Sequence, residues 1–535
     1  MPADSATLGV HLIACGPEGL ARPGVRLLGF KAYNLARIAR LGVPVPPAFV
    51  LGTDWCNAYH ALGGHLPAHT REQVLIALRQ LESASGSGFG SGRRPLLVSV
   101  RSGAPVSMPG MLETVLNVGL CEATVPGLLR LCGNPRLVWD SYRRLIECYA
   151  EVVANLDHRP FAEARQSAVS SAGVADVGQL DFRALRALAR RELEIYADAA
   201  GREFPQSPID QLEEALGAVF RSWNGAKAQV YREMHGIDAS LGTAAIVQRM
   251  VFGNGGATSG AGVGFTRNPA SGSAELYVDY LQNAQGEDVV SGRTPMDPRV
   301  TLDRLPAHVD VELAELATLL EHEFHDAQEF EFTVENGELY VLQTRDAKRT
   351  PLAELRIAVE LAEAGLLGSA EARQRVARLS PDQLEFTCLA RADHDVPLAT
   401  GVPASVGVAS GVAVCDPERA QQRVRAGQSV ILVRNDVATN DIAALESASG
   451  LLAVHGARTA HAAVVARQLG KPCVVSCADL SIDSDRRTLC FGRRRVAEGD
   501  VITLDADTGN VYAGALALAR KRPDALLKRL DALPA

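Results

Sequence analysis

Gly450-Leu-Leu-Ala-Val-His-Gly-Ala-Arg-Thr-Ala-His461-Ala-Ala-Val-Val-Ala-Arg-Gln-Leu-Gly-Lys-Pro-Cys-Val-Val475 is the stretch that decides how this chain is read. Leu451, Leu452 and Val454 predict a short buried strand, followed by a glycine turn, a helix and a second strand from Cys473 to Val475. Thr459 is suited to cap the helix, because its hydroxyl can accept from an orphan amide of the first turn. His461 then falls in that first turn, where exposed amides and the helix dipole favour negative charge. A neutral imidazole is a competent nucleophile, and a phosphoryl group placed on it there would be held by those amides and a neighbouring cation. Arg458 and Arg467 are the candidate cations. On this evidence alone a histidine packed or capped in a turn is the better reading.

Around that stretch the composition sets bounds. A chain of 535 residues is long enough for two or three domains, each with its own core. With 47% apolar and 22% charged residues it reads as an ordinary globular protein. A net charge of −8 argues against a generic nucleic-acid binder, which needs a basic face. No apolar run approaches the roughly 20 residues of a membrane span, and Met1 to Gly16 lacks the pattern of a signal peptide. The ten cysteines are scattered without paired spacing, so neither a disulfide framework nor a zinc site is expected. A cytoplasmic enzyme is the expectation.

Upstream, several segments carry residues suited to phosphate. Val25 to about Leu41 predicts a helix entered through a glycine-containing loop, from which Lys31 would offer a point charge; a solvated surface lysine is the plainer alternative. Ser83 to Arg94 reads as a mobile Gly/Ser/Arg loop, and Leu96 to Val100 as a buried strand that delivers Arg101 at its end. An arginine there can grip phosphate oxygens through a bidentate fork. Residues 120 to 200 read as helices with a polar break from Gln166 to Gly173. Gln248 to Arg267 reads as a glycine-rich hairpin, in which Gly253, Gly255, Gly256, Gly260 and Gly262 would let the backbone approach a polyphosphate. Phe330 to Val334 and Leu339 to Arg345 alternate with period two. A two-residue Asn336-Gly337 turn would place Gln343 opposite the carboxylates. A three-residue loop, Glu335 to Gly337, would gather Glu329, Glu331, Gln343 and Arg345 on one face, and the reading favours it. Two carboxylates and an amide oxygen would suit Mg2+ bridging the phosphates of ATP.

The opening stretch resembles the phosphohistidine segment of the dikinase family that includes pyruvate, phosphate dikinase and phosphoenolpyruvate synthase. That family reads roughly Gly-Gly-x-Thr-Ser-His-Ala-Ala-x-Val-Ala-Arg-x-x-Gly-x-Pro-Cys-Val. Thr459, His461, Ala462, Ala463, Ala466, Arg467, Gly470, Pro472 and Cys473 match it, whereas Ala457, Arg458 and Ala460 stand where it has Gly, Met and Ser. Gly29, Lys31, Asn34 and Leu35 match its phosphate-contacting loop, with Phe30 and Tyr33 in place of small residues. Ser107-Met-Pro-Gly-Met111 and Trp139 to Arg144 resemble the pyruvate, phosphate dikinases in particular, and the flanks of the 253–262 loop match almost residue for residue. The resemblance implies that Lys31, Arg101, that loop, Glu329, Glu331 and Gln343 hold the nucleotide, with Glu331 and Gln343 on the metal. It implies catalytic roles for His461, Arg101 and Arg345, and has Asp where this chain has Glu329.

The fold class implied is α/β and α+β multidomain. An ATP-grasp-like nucleotide-binding domain (1–350, with a helical insertion at about 120–200) leads through a helical linker (351–395, with helices at Leu352 to Ala364 and Ala370 to Arg378). A compact swivelling phosphohistidine domain (396–515) and a basic helical tail (516–535) follow. Asp436 and Asp441 flank a loop altered from the family's at Ala438-Thr-Asn440, which weakens a docking surface there. Family members continue into a barrel that binds pyruvate and phosphoenolpyruvate, so two of three modules are expected here. The implied reaction moves the β-phosphoryl of ATP to His461 and the γ-phosphoryl to inorganic phosphate, giving AMP and pyrophosphate. The acceptor is then a partner protein with a phosphoenolpyruvate/pyruvate-type barrel, or a small molecule. Two alternatives stay open: a synthase-type enzyme that uses water in place of phosphate, and a non-catalytic ATP sensor.

Overall fold

The computed structural model describes residues 8–15, 23–108, 111–290, 304–390, 396–436, 441–458, 461–483 and 487–534, with the side chains of Val290, His461 and Ala462 excepted. Its contacts divide the chain into two units, Met1–Val251 with Tyr340–Gln343, and Phe252–Leu339 with Thr344–Ala535. Among the described residues no helix is long and apolar enough to cross a membrane.

In the first unit a five-stranded antiparallel sheet runs in the order Val10–Ile13, Ala48–Leu51, Ala244–Arg249, Val98–Gly103, Thr114–Val118. Phe49, Val50, Leu51, Val98, Val100 and Val247 are fully buried, so both sheet faces are covered, as continuous apolar strands require. Arg101 lies inside the Val98–Gly103 strand, opposite Ile246, and not at its end as expected. Ser102 and Gly103 beyond it still pair with Ala245 and Ala244, so the ladder does not stop at the charge. Helices Pro135–Cys148, Arg159–Ala172, Phe182–Ala200 and Pro208–Ser222 follow. The polar break expected from Gln166 comes only at Gly173, whose φ of 65° ends the helix. Ser167, Ser170 and Ser171 are exposed and Val169 is buried, so the apolar side of that helix is uninterrupted. The Ser83–Arg94 loop is also less open than expected. Helix Thr70–Ser85 enters it, Gly88–Phe89 pairs with Pro95–Leu96, and Arg130 donates to the Gly92 carbonyl at 2.7 Å.

The second unit starts with a four-stranded sheet, in the order Glu338–Asp346, Gln328–Glu335, Gly260–Phe265, Tyr277–Gln282. The glycine-rich segment after Arg249 is therefore no hairpin. Ala244–Arg249 belongs to the five-stranded sheet and Gly260–Phe265 to this one. The Gln328–Asp346 hairpin departs from expectation as well. Its strands end at Glu335 and resume at Glu338, so the loop has two residues. Asn336 and Gly337 both take positive φ, 53° and 90°. Asn-Gly is the pair best able to do so, and the resulting turn twists with the strands.

Helices Pro351–Glu363 and Ser369–Ala377 form the expected connector, but the tail is not helical throughout. Leu518–Lys521 is a strand paired antiparallel with Phe386–Leu389, and helix begins only at Asp524. Leu526, Leu530 and Leu533 then join the core of Leu355, Ile357 and Leu361 from the connector.

Between connector and tail lies an eight-stranded sheet whose centre is parallel, Val408–Val414, Val430–Arg434, Gly450–Ala453 and Cys473–Val475. Helices Pro417–Arg425, Ile442–Ser447 and His461–Gln468 make the crossovers. Alternation divides the core. Ile431, Val433, Leu452 and Val474 face one layer, while Val430, Leu432, Leu451 and Cys473 face Ala444, Leu445, Ala463 and Ala466 of the helices.

Candidate functional site

Lys31 and Arg101 come together in the first unit because glycine lets two backbones meet. Gly29 has φ 72° and ψ 160°, which breaks the Val25–Arg40 helix just before Lys31. A Cβ there would lie 1.7 Å from the Gly103 carbonyl oxygen, so only glycine fits. The Phe30 amide then donates to the Ala104 carbonyl at 2.8 Å, seating the lysine-bearing turn on the strand that holds Arg101. Arg101 itself donates to Gln343 Oε1 at 3.3 Å and to the Leu342 carbonyl at 3.4 Å. Three of the expected nucleotide residues, Lys31, Arg101 and Gln343, thus belong to this unit. Of the Ser107 to Met111 signature, Pro109 and Gly110 lie outside the described residues.

In the second unit the glycines have unequal roles. Gly256, with φ 138°, has no atom within 4 Å of its would-be Cβ. A Cβ at Gly253 would lie 2.2 Å from the Ala284 carbonyl oxygen, and one at Gly255 3.0 Å from Ser259 Oγ. At Gly260 and Gly262 a Cβ would strike Tyr280 and Phe332 at 2.2 and 2.4 Å, so these two make room for aromatic rings on their own sheet. The crossing is strapped to the hairpin turn. Glu335 accepts from the Phe252 amide at 2.9 Å, Ser259 Oγ accepts from the Asn336 amide at 3.0 Å, and the Thr258 carbonyl accepts from the Gly337 amide at 2.9 Å. Sequence reasoning missed Glu335 and Ser259 in this part. The acid before Asn-Gly was the available signal.

Glu329 is buried and accepts from Arg345 Nη2 at 2.5 Å. Burial works against the Arg345 charge, but Glu329, and Glu331 beyond it, hold the guanidinium above its ordinary value. Arg345 is therefore gathered with both carboxylates despite the two-residue turn. Gln343 is gathered with Arg101.

The histidine segment is built by the parallel sheet. Strand Gly450–Ala453 ends, the chain turns, and helix begins at His461, the position expected for it. Open α/β sheets bind ligands at such carboxyl ends of their strands. Thr459 and Ala460 lie outside the described residues, as does the altered loop at 438–440. Asp441, beside that loop, is buried and accepts from Arg434 at 3.1 Å.

Both candidate cations are engaged inside the second unit. Arg458 donates through Nε to Asp279 at 2.8 Å and through Nη2 to the Val278 carbonyl at 2.7 Å, and its guanidinium lies 3.8 Å from the Tyr277 ring centre. Burial opposes its charge, and Tyr277 and Asp279 more than restore it. Arg467 is fully buried and donates to the Ala404 carbonyl at 3.2 Å and to the Arg458 carbonyl at 2.9 Å, with Phe265 beneath it. Burial pulls Arg467 below its ordinary value, against Tyr277 and Glu329, which places it near the acidic hairpin. Asp279 and Tyr277 are the functional partners that sequence reasoning missed. An acid inside the apolar run Tyr277-Val-Asp-Tyr-Leu281 was the signal.

A family model described as pyruvate phosphate dikinase, AMP/ATP-binding domain, matches residues 60–310, and one described as PEP-utilising enzyme, mobile domain, matches residues 426–509. The chain is 43% identical over 493 residues to a pyruvate, phosphate dikinase of Clostridium symbiosum, covering 91% of this chain and 56% of that protein. With one from Rhizobium meliloti (strain 1021) it shares 41% over 510 residues, covering 93% of this chain and 57% of the relative. With a chloroplastic one from Flaveria pringlei it shares 41% over 497 residues, covering 92% and 52%. It thus spans about half the length of the curated relatives it matches. A nucleotide-binding match, a mobile-domain match and a helix opening on His461 occur in one order along one chain, which belongs to the pyruvate, phosphate dikinase family.

Proposed function

We propose that this chain carries out the nucleotide half of a dikinase-type phosphotransfer. His461 attacks the β-phosphorus of ATP, the bond to the α-phosphate oxygen breaks, and AMP leaves. The γ-phosphoryl passes to inorganic phosphate, which departs as pyrophosphate. His461 then gives its phosphoryl group to pyruvate on a partner barrel, or to another acceptor. In this reading 1–350 is an ATP-grasp-like nucleotide domain, 351–395 a connector and 396–515 a swivelling carrier of the phosphohistidine.

One observation carries the reading. The segment that enters the His461 helix is fixed by Arg458 and Arg467 to strands Tyr277–Gln282 and Gly260–Phe265, the sheet that also bears Glu329, Glu331 and Arg345. The segment leading to the proposed acceptor histidine thus packs on the sheet to which the acidic hairpin belongs.

Lys31 and Arg101 would hold phosphate oxygens, and the amides around Gly253, Gly255 and Gly256 would add uncharged donors. Gly260 and Gly262 support that loop through the aromatic packing behind it. Arg345, kept charged by Glu329, would stabilise the negative charge spread over the transferring group. Thr459 and the amides at the start of the helix would stabilise the phosphorylated imidazole, and Arg467 would brace the helix from behind. Mg2+ fits the residues present. Glu331 and Gln343 offer one carboxylate and one amide oxygen, and Glu329 is already engaged by Arg345. Among the described residues no group of three or more His, Cys, Asp or Glu side chains could hold a metal. The ion supplies charge neutralisation along the polyphosphate when bound.

The test uses ATP labelled separately at the β and γ positions, with and without phosphate, beside His461→Ala. Stable β-label on the wild-type protein alone, with pyrophosphate release that needs added phosphate, is expected. Label without a phosphate requirement would make water the γ-acceptor. ATP binding with neither label nor AMP would leave a nucleotide sensor.

A further inference from the structure

The residue three places before His461 is where this chain departs from its family's methionine. A methionine at 458 would rest on the Tyr277 ring but offer no charge. Arg458 instead makes an ion pair, a carbonyl hydrogen bond and a cation–π contact with three successive residues of one strand, Tyr277, Val278 and Asp279. Asp279 is 1% exposed and lies opposite Val263 in the sheet. A buried carboxylate is costly without a partner, and Arg458 supplies one only while the histidine segment is seated. The two sides are tied at further points. Tyr277 donates its hydroxyl to the Pro403 carbonyl at 3.3 Å, and the Arg467 guanidinium lies over the Phe265 ring. Asp279 Oδ2 makes no hydrogen bond, so the pairing rests on the single Oδ1 contact.

We propose that Arg458 and Asp279 form a latch that seats the segment entering His461 on the nucleotide-side sheet. This rests on the reading of His461 as phosphoryl acceptor. Arg458 is then a positioning residue and not a cation on the phosphoryl group, because its Nε and Nη2 point to Asp279 and Val278. The latch favours phosphorylation of His461 and slows departure of the segment towards an acceptor. A single substitution at either end removes its ion pair and so retunes it.

Two readouts separate the latch from the reading beneath it. Arg458→Met, Asp279→Asn and the charge-exchanged pair Arg458→Asp with Asp279→Arg are compared with wild type. Hydrogen exchange at 277–282 and 453–458 is measured without nucleotide, and the rate of His461 labelling at saturating ATP is measured beside ATP affinity. The latch predicts faster exchange in both segments for each single variant. It also predicts labelling slowed at least tenfold, unchanged ATP affinity, and partial recovery of both readouts in the exchanged pair. Unchanged exchange in both single variants would overturn it, as would equal labelling rates in all four proteins. No label on wild type, with faster exchange in the variants, would keep the docking contact and discard the phosphotransfer reading.

Discussion

Glu331 and Glu329 differ by two positions and by what surrounds them. Arg345 donates to Glu329, and in the proposed reading Glu331 is the carboxylate that meets the metal–nucleotide complex. Glu331→Gln is expected to slow His461 labelling about 10²-fold, in the range for loss of one electrostatic stabiliser, with a smaller change in ATP affinity measured by calorimetry. A second residue-scale prediction concerns stability. Glu192 is fully buried, and burial first, then Glu147, pushes its carboxyl well above the usual range against the pull of Arg143. With its folded pKa raised, the stability tied to Glu192 is complete below the unfolded carboxylate value of about 4.3 and is lost as pH rises towards the folded one. Glu192→Gln should therefore stabilise the protein at neutral pH by about 1 kcal/mol, and the gain should shrink towards pH 4. Thermal melts of both proteins across that range check it. At this scale the sequence offers His461, Lys31, Arg101 and Arg345 as candidates, because each sits beside a glycine or a strand that reads clearly. It did not show Asp279, since nothing local tells a buried acid which distant arginine will neutralise it.

Elements were legible where one residue pattern served one purpose. The strands Ala48–Leu51, Val430–Arg434 and Cys473–Val475 form as expected because unbroken apolar runs have no other place to go. The hairpin turn was misjudged because the gathering of side chains was allowed to outweigh turn chemistry. Asn336-Gly337 had already specified a two-residue loop. Glycines 260 and 262 looked like part of a phosphate loop, yet their missing side chains accommodate Tyr280 and Phe332. Gly262→Ala should therefore cost about 1–3 kcal/mol, the usual price of overpacking, read as a lower denaturation midpoint at unchanged slope. The tail was read as helix from its Leu, Ala and Arg content, but Leu518–Lys521 pairs with Phe386–Leu389, a long-range contact that no local pattern announces. Leu530→Ala should cost about 2–4 kcal/mol by opening the core shared with the connector, and should loosen the connector in hydrogen exchange.

At the scale of the whole molecule, the order of nucleotide-binding region, connector and parallel-sheet region was visible in the sequence, since composition changes at Gly401 to Val, Ala and Gly. The division by contacts was not visible. Residues 252–339 group with the histidine-bearing region and not with the 251 residues before them. Within that group side chains from far apart in sequence meet, Arg458 with Asp279 and Arg467 with Phe265. The central claim is that ATP phosphorylates His461. Peptide mapping after incubation with β-labelled Mg-ATP tests it most directly. The account predicts one acid-labile, base-stable phosphate on the peptide containing His461, and none in His461→Ala. Phosphate on another residue, or no phosphate on a protein that binds ATP, would contradict it.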